Sequence, residues 1–230
     1  NAGMGQVVAT VPVDVGDAAA VADLAAGFDL VVIGPEAPLV AGAVDAIAPL
    51  GVPVFGPSAE AAQLEGSKDF AKQVMLAAGI PTAAARTLRS THELAAALDG
   101  FGPPYVVKDD GLAAGKGVVV TENRDLAMAH ADAIFGKGGQ VVIEEYLDGP
   151  EASVFCICDG TDVVALLPAQ DFKRVGEGDT GPNTGGMGAY CPLPWADPDL
   201  AQWTVDHVAR PAIAEMARRG TPYVGVLYVG

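Results

Sequence analysis

Val106-Val-Lys-Asp-Asp-Gly-Leu-Ala-Ala-Gly-Lys-Gly-Val-Val-Val120 reads as a β-branched strand, a glycine-bearing loop and a second β-branched strand. Gly111, Gly115 and Gly117 let the backbone come close to a ligand and turn its N–H groups inward, while Lys108 at the strand end and Lys116 at the loop tip add two positive charges. Those features describe a phosphate cradle. They equally describe a glycine hairpin with solvated lysines, and the segment alone leaves both readings open. A P-loop is excluded, because the pattern G-x-x-x-x-G-K-[ST] opening a helix is absent.

The segment sits in a run of strands. Ala84 to Leu88, Tyr105 to Lys108, Val118 to Thr121, Val141 to Glu145, Ala152 to Asp159 and Val163 to Leu167 carry strand patterns, several of them with no helix between. Helices are expected from a capping box at Ser90-Thr-His-Glu93, over Asn123 to Ile134 and over Pro198 to Arg219. Consecutive strands imply antiparallel sheet, hence α+β architecture. The first eighty residues differ. Leu30-Val-Val-Ile33 and Val52-Pro-Val-Phe55 read as buried parallel strands flanking a helical repeat of Leu39, Val40, Ala43, Val44 and Ile47, which is an open α/β unit. Ser67 is placed to cap a helix with Phe70, Val74 and Ala77 on one face, ended by Gly79 and Pro81. The expected division is an α/β domain over residues 1–60 and an α+β domain over 61–230, with a smaller subdomain at about 82–147 and the boundary between Pro57 and Gly66.

Two further segments carry candidate chemistry. Val141-Val-Ile-Glu-Glu-Tyr-Leu-Asp-Gly-Pro-Glu151 runs from an apolar strand into Glu144, Glu145, Tyr146 and Leu147, which could sandwich a flat purine, with Glu151 accepting hydrogen bonds from ribose hydroxyls; the alternative is an exposed acidic strand end. Between residues 176 and 188 lie six glycines, flanking Asp171, Lys173, Arg174, Asn183 and Thr184. That density suits a substrate loop better than a plain connector. Arg174 could hold a carboxylate or phosphate through two parallel hydrogen bonds, and the amides of Thr184, Gly185 and Gly186 could form an anion nest.

Composition narrows the remaining classes. Thirteen basic against 29 acidic residues give a net charge of −16, which excludes non-specific nucleic-acid binding. No apolar run approaches the roughly 20 residues of a membrane helix, so no membrane partner is expected. Cys156, Cys158 and Cys191 form neither a paired framework nor a zinc pattern and are read as reduced thiols of a cytoplasmic protein. His92, His130 and His207 have no partner at metal-ligand spacing, and Trp195 and Trp203 are read as packing residues.

Gly34-Pro-Glu-Ala-Pro-Leu39, Gly66-Ser-Lys-Asp-Phe-Ala-Lys72, Lys108 to Gly117, Glu144 to Glu151, Asp171-Phe-Lys-Arg-Val-Gly176 and Pro182-Asn-Thr-Gly-Gly-Met-Gly-Ala-Tyr190 together resemble the glycinamide ribonucleotide synthetase (phosphoribosylamine–glycine ligase) family of the ATP-grasp superfamily. The likeness covers essentially the whole chain. A lone glycine loop with a lysine would also suit biotin carboxylase or D-alanine–D-alanine ligase; the last motif is the specific one.

The resemblance implies an N-terminal α/β substrate domain followed by an ATP-grasp fold of two α+β subdomains. It also implies a ligase of purine biosynthesis that joins glycine to 5-phosphoribosylamine through glycyl phosphate, cleaving ATP to ADP and phosphate, and an expected monomer. Lys68, Lys108 and Lys116 match phosphate contacts, with Gly115 and Gly117 in the closing loop. Glu144, Glu145, Tyr146 and Leu147 match the adenine linker, and Glu151 the ribose contact. Asp171, Lys173, Arg174, Asn183, Thr184, Gly185 and Gly186 match the loop where glycine meets the amine, with Lys116, Arg174 and Asp171 as the catalytic set. Asn1, Gly3 and Glu36 match positions facing phosphoribosylamine. Mg²⁺ or Mn²⁺ is implied too, but its Glu and Asn ligands, in a Phe-Asn-x-Arg-Phe-Gly context, are expected beyond Gly230, so no metal ligand is assigned within residues 1–230. The family's first strand is likewise expected before Asn1, and without these parts the chain is expected to bind nucleotide poorly or not to turn over. Alternatives are another ATP-grasp ligase with a different acceptor, or a nucleotide-binding module without catalysis.

Overall fold

A computed structural model describes residues 3–112, 117–178 and 180–230. Contacts divide the chain into two units, Asn1–Ala62 and Gln63–Gly230.

In the first unit, α1 (Ala18–Ala25) is capped by Asp17, whose carboxylate accepts from Ala19 N and Ala20 N. The strands β1 (Val31–Val32) and β2 (Val54–Phe55) pair in parallel, Val31 opposite Val54. The helical repeat between them is broken into α2 (Glu36–Val40) and α3 (Ala43–Ile47), where Gly42 takes φ +90°. A residue with a Cβ is strained in that left-handed conformation, so the glycine sets the break that apolar spacing alone did not foretell. Ile47, fully buried, packs with Ala22 and Ala25 against Val31 and Val54.

The second unit begins with α4 (Gln63–Gly66) and α5 (Lys68–Ala77). Ser67 caps α5 by accepting from Phe70 N at 3.1 Å, and Gly79 ends it at φ +67°. Val74 is buried as expected, but Ala77 faces solvent, because the helix packs through a narrower stripe than its apolar spacing suggested. Next come β3 (Ala85–Leu88), α6 (Leu94–Phe101), β4 (Tyr105–Asp109), β5 (Val118–Thr121), α7 (Arg124–Phe135) and β6 (Val141–Glu144). The strands form an antiparallel sheet in the order β3-β6-β4-β5. Ser90 does not close the expected capping box: its side chain makes no cap bond, and Glu93 pairs with Arg86 on β3 at 3.0 Å instead. Glu93 closes the 3-10 turn Thr91–Glu93 that follows β3, which brings its carboxylate within reach of Arg86.

Register assigns the faces of this sheet. Leu88, Tyr105, Val107, Val141 and Ile143 meet Leu94 and Leu98 of α6 and Ala127, Ala131 and Ile134 of α7 in one core. By the two-residue alternation of strands, Lys108 and Glu144 must lie on the other face. Thr87 shares that face and donates to Asp69 on α5 at 2.6 Å, so α5 lies against it.

The remaining strands are β7 (Val154–Asp159), β8 (Val163–Ala165), β9 (Gln170–Asp171), β10 (Arg174–Gly176), β11 (Thr180–Asn183) and β12 (Ala189–Tyr190). Then come α8 (Leu200–Thr204), a π-helical stretch over Val205–Ala209, α9 (Arg210–Arg218) and β13 (Val224–Val229). The antiparallel sheet β13-β7-β8 buries Val154, Cys156, Cys158 and Leu227. Burial pushes the Cys158 thiol up to about 12, with Cys156 adding to the shift, so neither is a ready nucleophile. Trp195 and Trp203 are 44% and 45% exposed rather than core residues. Trp195 donates to Tyr190 Oη, and Trp203 stacks on His207, so each is held by a local polar or ring contact.

Candidate functional site

The expected phosphate contacts Lys68 and Lys108 come from different elements, one opening α5 and the other near the end of β4. Lys68 Nζ donates to Asp109 O at 2.7 Å and Gly111 O at 3.1 Å. It thereby laces the start of α5 to the backbone from which the glycine loop departs. Asp110 reinforces the same joint, accepting from Asp69 N at 2.7 Å and from Ser67 Oγ at 3.1 Å. Burial draws the Lys68 pKa below its ordinary value, opposed by the Asp110 carboxylate.

Lys108 donates to Glu144 Oε2 at 2.6 Å, across from β4 to the adjacent strand β6. Glu144 is 6% exposed, and its other oxygen lies 3.5 Å from Lys72 Nζ. The ammonium groups of Lys72 and Lys108 thus converge on one buried carboxylate. Glu145 prolongs the sheet by one residue: its N–H donates to Ala84 O at 2.9 Å, and its carboxylate accepts from Ala84 N. Tyr146 and Leu147 then stand 43% and 65% exposed, open to a planar apolar ligand.

A second cluster gathers the loop residues. Glu151 pairs with Lys173 and accepts from Tyr228 Oη at 3.4 Å; Asp171 lies 3.8 Å from Lys173 Nζ. Burial lowers the Lys173 pKa, but the Glu151 carboxylate outweighs it and the net shift is upward. The expected amide nest is engaged locally: Thr184 N donates to Lys173 O at 2.6 Å and Gly186 N to Thr184 Oγ1 at 3.0 Å. Those bonds pin the loop as a hairpin, which an anion would have to displace. Gly185 is exposed. Arg174 is exposed on β10 and, with Phe172, Val175, Glu177 and Met187, lines an open hollow of about 520 Å³.

Gly117 is buried, its carbonyl accepting from Asp109 N at 2.7 Å. Gly115, Lys116 and Asn1 lie outside the described residues, as does the side chain of Asn183. Gly3 and Glu36 belong to the first unit, where Glu36 opens α2 in an exposed position. Sequence reasoning assigned no role to Lys72, Asp110 or Tyr228. For Lys72 a signal existed: it follows Lys68 by four residues and so shares its helix face.

The two larger antiparallel sheets of the second unit, β3-β6-β4-β5 presenting Lys108 beside the helix that presents Lys68, and β13-β7-β8, form the framework of the ATP-grasp class. Residues 66–230 match the family description "Phosphoribosylglycinamide synthetase, ATP-grasp (A) domain", and residues 1–65 match the N domain of the same synthetase. The chain belongs to the phosphoribosylglycinamide synthetase family. It is 59% identical over 232 residues to the phosphoribosylamine–glycine ligase of Streptomyces coelicolor, covering 100% of this chain and 55% of the relative. The crystal structure of phosphoribosylamine–glycine ligase from Thermotoga maritima superposes with a TM-score of 0.70 at 38% identity, covering 77% of this chain and 46% of that one. A carboxyaminoimidazole ribonucleotide synthase from Aspergillus clavatus, complexed with ATP, shares the fold, with a TM-score of 0.70 at 21% identity over 98% of this chain and 56% of its own. The chain spans about half the length of the curated relatives it matches.

Proposed function

We propose that this chain carries the N-terminal and ATP-grasp portions of a phosphoribosylamine–glycine ligase, which joins glycine to 5-phosphoribosylamine in purine biosynthesis. The observation that carries the reading is the convergence of Lys68 and Lys108 at the root of the glycine loop, beside Glu144 and the exposed Tyr146–Leu147 segment. Membership of the family supplies the reaction. A glycine carboxylate oxygen attacks the terminal phosphorus of ATP, the bond to ADP breaks, and glycyl phosphate forms. The amine of phosphoribosylamine then attacks the acyl carbon, phosphate departs, and the nitrogen loses a proton. Little covalent work falls to the protein in such a transfer; positioning and charge neutralisation do most of it.

In this reading Lys68, Lys108 and Lys116 hold the phosphates, with Gly115 and Gly117 beside Lys116 in sequence. Glu144, Glu145, Tyr146 and Leu147 hold adenine. Glu151 takes the ribose hydroxyls by exchanging its bond to Lys173 for them. Asp171, Lys173, Arg174 and the Asn183–Gly186 segment receive glycine and the amine, and Arg174 or Lys116 offsets the acyl-phosphate charge. Asn1, Gly3 and Glu36 serve phosphoribosylamine. The sheet over residues 85–144 with its two helices is the lid, within the expected 82–147 segment. We further infer a monomer in the cytoplasm; among the described residues no helix is long and apolar enough to cross a membrane.

Mg²⁺ or Mn²⁺ would supply neutralisation of phosphate charge. Among the described residues no group of three His, Cys, Asp or Glu side chains could hold a metal ion, and no step is assigned to one. The test, on a protein of the relatives' full length that contains this chain, is phosphate release from ATP with glycine and phosphoribosylamine supplied together or singly, and with other amino acids replacing glycine. Release requiring both substrates is expected, and Lys116→Ala should slow it by about 10²-fold, the scale of losing one charge-stabilising donor. Unchanged turnover in Lys116→Ala, or equal release with other amino acids, would refute the assignment.

A further inference from the structure

A lysine bound to a buried carboxylate at 2.6 Å is a poor phosphate ligand by itself. The Lys108–Glu144 pair has no net charge, and an arriving phosphate would meet both signs at once. Lys72 changes that sum. Its ammonium lies 3.5 Å from the other oxygen of Glu144, so two ammoniums share one carboxylate and leave one net positive charge. Lys72 has little capacity to bind a phosphate itself. Its three N–H donors meet three acceptors: Thr82 Oγ1 at 2.8 Å, Ala83 O at 2.9 Å and Glu144. Thr82 and Ala83 belong to the segment leading into β3, so Lys72 is anchored from two sides and keeps Glu144 turned toward α5.

We propose that Lys72 is a positioning residue for nucleotide binding: it holds Glu144 and offsets its charge, so that Lys108 keeps a positive charge for the phosphate chain. The proposal rests on Lys108 being a phosphate contact. Burial draws the Lys72 pKa below its ordinary value, with the Lys108 charge adding to the shift and Glu144 opposing it, so the ammonium depends on its carboxylate. Glu145 contributes less, its carboxylate being turned to Ala84 N.

The test compares the affinities of ATP and adenosine by calorimetry on the purified protein, because adenosine lacks the phosphates and senses only the shape of the base site. Lys72→Met should weaken ATP by about tenfold, the scale of one partly screened charge, and adenosine by less than about twofold. Lys72→Arg should restore most of the ATP affinity. Glu144→Gln, in the wild-type or the Lys72→Met background, should raise the ratio of ATP to adenosine affinity by removing the charge that neutralises Lys108; the single variant keeps the test open if Lys72→Met does not fold. Parallel weakening of both ligands in Lys72→Met, or a ratio unmoved by Glu144→Gln, overturns the proposal. The underlying reading fails separately: Lys108→Met with unchanged ATP affinity would remove the phosphate contact itself and the proposal with it.

Discussion

Replacing Asp110 by alanine should loosen the joint between α5 and the root of the glycine loop. Its carboxylate accepts from Asp69 N at 2.7 Å and Ser67 Oγ at 3.1 Å, and both donors sit in the first turn of α5 or at its cap. A hydrogen bond to a charged acceptor contributes about 1.5–3 kcal/mol, and these groups are half-buried, so the lower end applies to each. A negative charge at a helix N-terminus adds about 0.3–1 kcal/mol. The total loss is then about 3.3–4 kcal/mol, or a fall of about 7–16 °C in the Tm of the second unit at roughly 2–4 °C per kcal/mol for this chain length. Asp110→Asn keeps a neutral acceptor and should lose about half as much. Urea unfolding followed by tryptophan fluorescence is the direct assay, since Trp195 and Trp203 both lie in the second unit. Because Lys68 grips the carbonyls of Asp109 and Gly111 at the same joint, ATP affinity should fall in step. An Asp110→Ala midpoint within about 0.5 kcal/mol of wild type, the ordinary scatter of surface substitutions, would refute the reasoning.

Other substitutions probe the frame and its charges. Leu98→Ala, at a fully buried position between α6 and the sheet, should destabilise by about 2–5 kcal/mol through lost burial and the cavity left behind, read as a lower urea midpoint with unchanged slope. Glu215 is held down to about 2 by its hydrogen bonds to Arg218 and then Arg219. With the folded value depressed, its stabilisation is complete above the unfolded value near 4.5 and fades as pH falls toward about 2. Glu215→Gln should therefore be less stable than wild type at neutral pH, with the gap closing between about pH 5 and pH 2 in urea titrations; a pH-independent gap would rule out the arginine pairing as its cause.

Much of the frame was legible because strands and helices announce themselves through period and punctuation. The strands β4 and β5, the capping of α5 by Ser67, the helix α7 and the parallel pairing of β1 with β2 all follow from local residues. The departures in local structure share one physical source. Glu93 turned from its expected capping role to Arg86, and Gly42 broke one helix into two. In each case a partner or conformation competed successfully with the one that spacing suggested.

Lys108 was marked by its charge beside a glycine-bearing loop and Glu144 by its place at the end of an apolar strand, signatures that need no coordinates, whereas Lys68 was marked only by the resemblance. The meeting of Lys72 and Lys108 on the Glu144 carboxylate, the grip of Lys68 on the carbonyls of Asp109 and Gly111, and the roles of Asp110 and Tyr228 depended on sheet register and on α5 lying against the sheet face away from α6 and α7. The linear chain determines which side chains carry charge and which segments coil or extend. Only folding decides which residues distant in sequence share a low-dielectric neighbourhood, and there each charge acquires its working value from its neighbours.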